Sequence, residues 1–153
     1  MLYCIVPAKV LSVVRRSSVS VPVFYGMRQP PVTIYIVDDD ESMRRALARL
    51  MQSAGYATAT FASVGELIAT ERFKEPACVI ADGRIPGGSG LSLPKKLRDR
   101  GLEIPVIIVT AHDTEEMRAE AKQAGVSGYF RKPVDDQVLI DAIEWALSGR
   151  HEP

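Results

Sequence analysis

From Val32 onward the chain alternates five times between short apolar runs and segments whose apolar positions recur at helical spacing. Val32–Val37 is a β-branched run and reads as a buried strand. Met43, Ala46, Leu47, Leu50, Met51 and Ala54 then fall at the intervals of one helix face, and Gly55 ends that helix. Ala57–Phe61 predicts a second strand, and Ser63 is placed to cap a helix running to about Phe73. Ala77–Ala81 predicts a third strand, ended by Asp82. Ile104–Thr110 is the most apolar run, so it is expected to be central and buried on both faces. Asp113–Gln123 carries only a thin stripe of Met117, Ala121 and the following Ala124 among many charges. Ser127–Phe130 predicts a short fifth strand. Leu139, Ala142, Ile143 and Ala146 stand in register on a last helix, about Val134–Leu147, before Gly149.

Strands alternating with helices at this pitch predict an α/β fold, a doubly wound five-stranded parallel sheet with right-handed crossovers. Residues 32–149 form that domain. The four residues of the tail, 150–153, are not expected to add another. Residues 1–31 do not follow the pattern. Their Val-rich stretches, Val10–Val14 and Val19–Tyr25, have no partner pattern, and Gln29-Pro30-Pro31 closes them with a breaker. This segment reads as a leader outside the fold, disordered or not native, with Met27 just ahead of the first regular element.

Charge sharpens the division. The leader holds four of the 19 basic residues and none of the 19 acidic ones, so the remainder carries a net charge of −4. That mild acidity argues against binding a phosphate backbone. The two cysteines, Cys4 and Cys78, read as a reduced pair in a cytoplasmic protein. No apolar run approaches the roughly 20 residues of a membrane span. Met1–Val14 is interrupted by Lys9 and lacks the basic start and small-residue exit of a signal peptide.

In open α/β sheets the chemistry lies beyond the carboxyl ends of the strands. There the sequence places Asp38-Asp39-Asp40-Glu41 after the first strand, Asp82 after the third, Thr110 at the end of the fourth and Lys132-Pro133 after the fifth. No Gly-rich phosphate loop follows the first strand, which disfavours nucleotide binding. Capping the first helix accounts for one acid, Asp40 by position. It does not account for Asp38 and Asp39 facing Asp82. Two carboxylates ~4 Å apart repel by about 4 kcal/mol at an effective dielectric near 20, so such a cluster calls for a cation. Hard oxygen ligands of this kind suit Mg²⁺. With Asp82 as nucleophile, and Lys132 and the Thr110 hydroxyl meeting phosphoryl oxygens, the set has the parts that phosphoryl transfer needs.

Those residues carry a family resemblance. Ile36-Val37-Asp38-Asp39-Asp40, Ile80 to Gly90, Val109-Thr110-Ala111-His112 and Gly128 to Pro133 together resemble the receiver domain of two-component response regulators, of the single-domain, chemotaxis-regulator-like kind. The resemblance implies a flavodoxin-like fold with strand order 2-1-3-4-5. It implies Asp82 as phosphoacceptor, and a Mg²⁺ held by Asp39, Asp82, the Arg84 backbone carbonyl and, through water, Asp38. Thr110 would be the switch hydroxyl, Tyr129 the switch aromatic and Lys132 the phosphate-binding cation, so that Asp82 and Lys132 do the catalytic work. The Lys132-Pro133 bond would be cis. The implied partners are a sensor histidine kinase or phosphotransfer protein as phosphohistidine donor, an output partner of unknown identity, and a second copy in a phosphorylation-dependent homodimer. No direct nucleic-acid or membrane binding is implied. The protein would be a signalling phosphoprotein, not an enzyme in the ordinary sense, and would switch the face made by the fourth helix, fifth strand and last helix.

The chain departs from the family pattern at Gly83, where a bulky apolar residue is usual, and at Gly88, where a Met-like residue is common. Gly83 is expected to loosen its loop. Pro94 lies inside the third helix, and with Ser89 as cap it should kink or delay that helix. His112 reads as an exposed loop residue and Trp145 as a half-buried surface aromatic. An alternative resemblance is to haloacid-dehalogenase-type phosphatases. Asp38-Asp39-Asp40-Glu41-Ser42 is similar to their D-x-D-x-T pattern, with Asp38 as nucleophile and Asp40 as acid/base. That reading leaves Asp82 without a task, and the sequence has neither the later acidic pair nor the cap insertion it needs.

Overall fold

A computed structural model describes residues 11–16, 19–24 and 30–149. The chain divides into two compact units, Met1–Pro30 and Pro31–Pro153.

In the first unit β1 (Leu11–Arg16) pairs antiparallel with β2 (Val19–Phe24), with Val14 opposite Val21 and Arg16 opposite Val19. This corrects the expectation that the Val-rich stretches lack partners: they partner each other. β-Branched residues favour a pleated strand. Pro22 takes part opposite Val13, which a two-stranded ribbon made only of edges allows. Apart from Pro30 and Pro31, the other residues of the expected leader lie outside the described ones, as does Cys4.

The second unit runs β3 (Thr33–Val37), α1 (Glu41–Ser53), β4 (Ala57–Phe61), α2 (Val64–Ile68), β5 (Ala77–Ala81), α3 (Leu93–Asp99), β6 (Val106–Thr110), α4 (Glu115–Ala124), β7 (Gly128–Arg131) and α5 (Asp136–Leu147). The five strands pair in parallel in the order β4-β3-β5-β6-β7, which is 2-1-3-4-5 counted within the sheet. Alternate strand residues feed two cores. Tyr35, Val37, Val79 and Ile108 pack with Leu67 of α2 and Leu97 of α3. On the other face Ile36, Ile80 and Val109 pack with Met51 of α1 and Ile143 of α5. β3, β5 and β6 are therefore buried at every position, as the near-continuous apolar runs require. β6, the most apolar run, is interior, but the middle place belongs to β5.

Two helices differ from the periodicity. α2 stops at Ile68 instead of continuing to about Phe73. The chain leaves the helix because Phe73 turns inward to meet the Tyr35 ring edge-on at 5.2 Å, while the Tyr35 hydroxyl accepts from the Lys74 amide at 2.7 Å. Arg100 holds the exit by donating to the carbonyls of Ile68 and Thr70, both at 2.8 Å, and lies over the Phe73 ring. α3 is delayed, as Pro94 requires. Ser89 caps a single 3₁₀ turn, Gly90–Ser92, and Pro94 then falls in the first turn of α3, where its missing N–H costs no helical bond. Lys132-Pro133 is cis, as the resemblance implies, and Glu75-Pro76 is cis as well.

The core of the second unit draws on residues from Val32 onward. A chain beginning at Met27 is therefore expected to fold, with a thermal midpoint within ~5 °C of the full chain, a margin on the order of 1 kcal/mol for a domain of this size. A larger drop in a calorimetric or circular-dichroism melt would show that the first unit contributes to its stability.

Candidate functional site

The parallel register brings the strand ends to one height. Val37 lies beside both Phe61 and Ala81, and the ladder continues one step further, Asp82 donating its amide to Val37 and Asp38 donating to Phe61. Lys132 donates its amide to the Thr110 carbonyl at 2.8 Å, so β7 delivers its lysine at the same edge. Asp38, Asp82, Thr110 and Lys132 are placed there by backbone hydrogen bonds of the sheet before any side chain interacts.

The side chains then converge. The Lys132 ammonium donates to Asp38 Oδ2 at 2.9 Å and to Asp82 Oδ2 at 3.0 Å. Asp38 is buried, and its Oδ1 accepts the Asp40 amide at 2.9 Å. Asp82 Oδ1 accepts the Arg84 amide at 3.0 Å, so the main chain of Arg84 folds back beside the carboxylate. Asp39 is exposed, and carboxylate oxygens of Asp38, Asp39 and Asp82 all lie within 4.8 Å of one another. Asp40 caps α1 by accepting from the Ser42 and Met43 amides, which takes it out of the cluster as its position predicted. Thr110 is fully buried, its hydroxyl oxygen accepting the His112 amide at 3.1 Å, and His112 itself is exposed.

Three carboxylates against one ammonium leave the site negative. Burial pushes the Lys132 ammonium towards losing its proton, but its hydrogen bonds to Asp38 and Asp82 outweigh that and raise it above its ordinary value. Lys132 therefore stays charged and is shared between two acids. The excess negative charge and the all-oxygen donor set fit a hard divalent cation, and the cluster could hold one.

Two glycines shape the loop after β5. A Cβ on Gly90 would stand 2.3 Å from the Asp82 carbonyl oxygen, so the backbone passes here only without a side chain. A Cβ on Gly83 would stand 2.9 Å from the Met117 sulfur and 3.3 Å from the Thr110 hydroxyl oxygen. Gly83 thus marks a slot filled by Met117 of α4, and the loop is packed there, contrary to the looseness expected of it. The Ser89 hydroxyl donates to the Gly83 carbonyl at 2.8 Å and holds the loop from its other side.

Sequence reasoning missed two contributors. Arg44, on the first turn of α1, donates to the Asp38 carbonyl at 2.6 Å and braces the acidic turn. Its position six residues after Asp38, one helical turn past the Asp40 cap, was the available signal. The second is Asp113, whose carboxylate takes the Tyr129 hydroxyl at 3.2 Å and is itself paired with Arg118. Nothing in the spacing of those three residues singles them out.

Residues 34–144 match the family model described as the response regulator receiver domain. The chain is 33% identical over 119 residues to the transcriptional regulatory protein FixJ of Azorhizobium caulinodans, covering 78% of this chain and 56% of that protein. It is 36% identical over 119 residues to the DNA-binding transcriptional regulator NtrC of Salmonella typhimurium, covering 78% of this chain and 25% of that one. The crystal structure of the FixJ N-terminal domain superposes with a TM-score of 0.72 at 32% identity, over 82% of this chain and 100% of that one. The sheet order defines a flavodoxin-like receiver fold. The chain belongs to the response-regulator receiver family of two-component signalling, and it spans about half or less of the curated relatives named here. Neither the family match nor these relatives support the phosphatase alternative, whose nucleophile Asp38 has both carboxylate oxygens engaged.

Removing the ammonium in Lys132→Met leaves Asp38 and Asp82 facing each other uncompensated. In metal-free buffer the variant is expected to lose about 3 kcal/mol, the low end for breaking a buried pair. Millimolar divalent cation should then restore more stability to the variant than it adds to wild type. Urea titrations of both proteins with and without the cation would measure this, and equal stabilities without it would show that the carboxylates do not repel.

Proposed function

We propose that this receiver takes a phosphoryl group from a phosphohistidine donor onto Asp82, in a Mg²⁺-dependent reaction, and signals through a change in the face formed by α4, β7 and α5. One observation carries the reading: the Asp82 carboxylate stands at the end of the central strand, bridged by Lys132 and within reach of two further acids. Asp39, Asp82, the Arg84 carbonyl and, through water, Asp38 would hold the cation. When bound, Mg²⁺ neutralises oxygens of the phosphoryl group. An Asp82 oxygen attacks phosphorus as the phosphorus–nitrogen bond to the donor histidine breaks, and the histidine leaves with a proton. Lys132 turns from its two acids to a phosphoryl oxygen, and Thr110 offers its hydroxyl to another. Hydrolysis returns Asp82 to its free carboxylate, with water supplying the new bond to phosphorus. The domain thereby assists its own phosphorylation and dephosphorylation.

The donor is a sensor histidine kinase or phosphotransfer protein. An apolar groove of about 460 Å³ beside Lys132, lined by Met43, Leu47 and Leu50 of α1 with Pro133 and Val134, gives such a protein a dry surface next to Asp82. Tyr129, half-buried on the edge strand, is the aromatic that moves with Thr110, and α5, which helps form the switching face, carries the exposed Trp145 and Val138, which an output partner or a second copy could meet. No helix among the described residues is long and apolar enough to cross a membrane, in keeping with a cytoplasmic site of action. The net charge of −4 over 32–153 disfavours direct contact with nucleic acid by this unit.

Intact-mass measurement after incubation with acetyl phosphate and Mg²⁺ should show the gain of one phosphoryl group in wild type and none in Asp82→Asn. An adduct that survives Asp82→Asn would overturn the assignment. Asp39→Ala is expected to weaken Mg²⁺ binding by tenfold or more, about 1.4 kcal/mol, whereas Asp40→Ala should chiefly cost the helix cap, about 1 kcal/mol of stability. Equal losses of Mg²⁺ affinity in the two variants, measured by calorimetric titration, would remove Asp39 from the metal site.

A further inference from the structure

The loop beyond Thr110 leads to a second cluster that the phosphoacceptor chemistry leaves unused. The Asp113 side chain is only 6% exposed, although it lies at the loop's outer end, because Arg118 covers it. Arg118 Nε donates to Asp113 Oδ1 at 2.7 Å and its Nη2 donates to Oδ2, a two-pronged pair that fixes the carboxylate in plane. The same Oδ1 accepts the Tyr129 hydroxyl at 3.2 Å. The arginine comes from α4, the tyrosine from β7 and the carboxylate from the loop between β6 and α4, so one charge joins three elements. The Arg118 guanidinium holds the Asp113 carboxyl below its ordinary value, while burial and the Asp113 carboxylate push the Tyr129 phenol up. The acid is thus ionised and the phenol protonated, which is the combination that keeps the hydrogen bond.

Thr110 and Asp113 are three residues apart on this loop, and the Thr110 hydroxyl oxygen already holds the His112 amide. If Thr110 turns towards a phosphoryl oxygen, it draws or releases that amide, and the Asp113 carboxylate shifts relative to Tyr129, which belongs to the sheet. A carboxylate held by two prongs has little freedom to follow the phenol.

We propose that Asp113 and Arg118 are positioning residues for Tyr129: the clamped carboxylate holds the phenol while Asp82 is unmodified and releases it when Thr110 moves. This rests on the reading of Asp82 as phosphoacceptor. The Asp113–Tyr129 bond belongs to one state of the domain, so breaking it favours the other. Arg118 sets the strength of the hold through the orientation of the acid, without touching the phosphoryl group.

The test uses the full chain and beryllofluoride with Mg²⁺ as a mimic of the phosphorylated aspartate, with affinity measured by calorimetry. Arg118→Ala and Tyr129→Phe are each expected to tighten binding by about three- to tenfold, the size of one net hydrogen bond. The double variant should gain no more than either single one, and Arg118→Lys, which keeps the charge but not the fork, should fall between. Far-ultraviolet circular dichroism confirms that each variant is folded. An Arg118→Ala effect of the same size with and without Tyr129→Phe would overturn the proposal, since a mere brace for α4 acts regardless of the phenol. Absence of beryllofluoride binding by wild type would instead mark failure of the Asp82 reading. The hold is then decided in the unliganded protein by the carbon resonance of the Tyr129 Cζ, which should move on Arg118→Ala and whose constancy would sink the proposal.

Discussion

The structure turns on the mutual repulsion of acids gathered at the carboxyl edge of a parallel sheet. The ladder that makes the fold also forces Asp38 and Asp82 to neighbouring strand ends, because Val37 and Ala81 lie side by side in register. Neither acid can withdraw without giving up a backbone bond of the sheet. The fold therefore maintains a concentration of negative charge and needs cations to tolerate it. Lys132, delivered by the edge strand, is the fixed one. Arg44 strengthens the arrangement from outside by gripping the Asp38 carbonyl.

Other features follow from keeping that edge compact. Asp82 must sit against a returning loop, which demands the bare backbone at Gly90 and the hydroxyl of Ser89 tying the loop to Gly83. With no side chain at Gly83, Met117 reaches the Thr110 neighbourhood, and α4 is drawn towards the acids although it buries only Ala121 fully. A helix with so little apolar anchorage is held largely by polar contacts near its start, among them the Thr114 cap and the Asp113–Arg118 pair. Such contacts can be exchanged at small cost, which suits an element that changes place.

Much of this was legible in the chain. The near-continuous apolar runs gave the buried strands, because a strand covered on both faces has no polar side to present. The acids, Thr110 and Lys132 were legible because each ends a strand, and strand ends are easier to read than helix ends. The limit of α2 was not legible. It depends on Phe73 finding Tyr35 and on Arg100 reaching carbonyls some 30 residues away, and neither event leaves a local periodicity. The pairing of β1 with β2 was missed because only β2 alternates, Val19, Val21 and Val23 with Ser20 and Pro22, while Leu11–Arg16 shows no matching pattern to mark it as the partner. Asp113 and Arg118 looked like any other charges on a solvated helix face. Which exposed charges find partners is decided by the approach of separate elements, here β7 bringing Tyr129 to the loop.

Gly90 carries a consequence of another kind. It bears no charge, donates no side-chain bond and would take no part in catalysis, yet its Cα abuts the carbonyl of the very residue on which the chemistry depends. A substitution there would be transmitted to Asp82 as a displacement of its main chain, leaving every ionisable group in place. In a map of mutational tolerance the position should therefore score with the acids, although it has nothing in common with them chemically. The site therefore constrains where the chain may pass as well as what it carries.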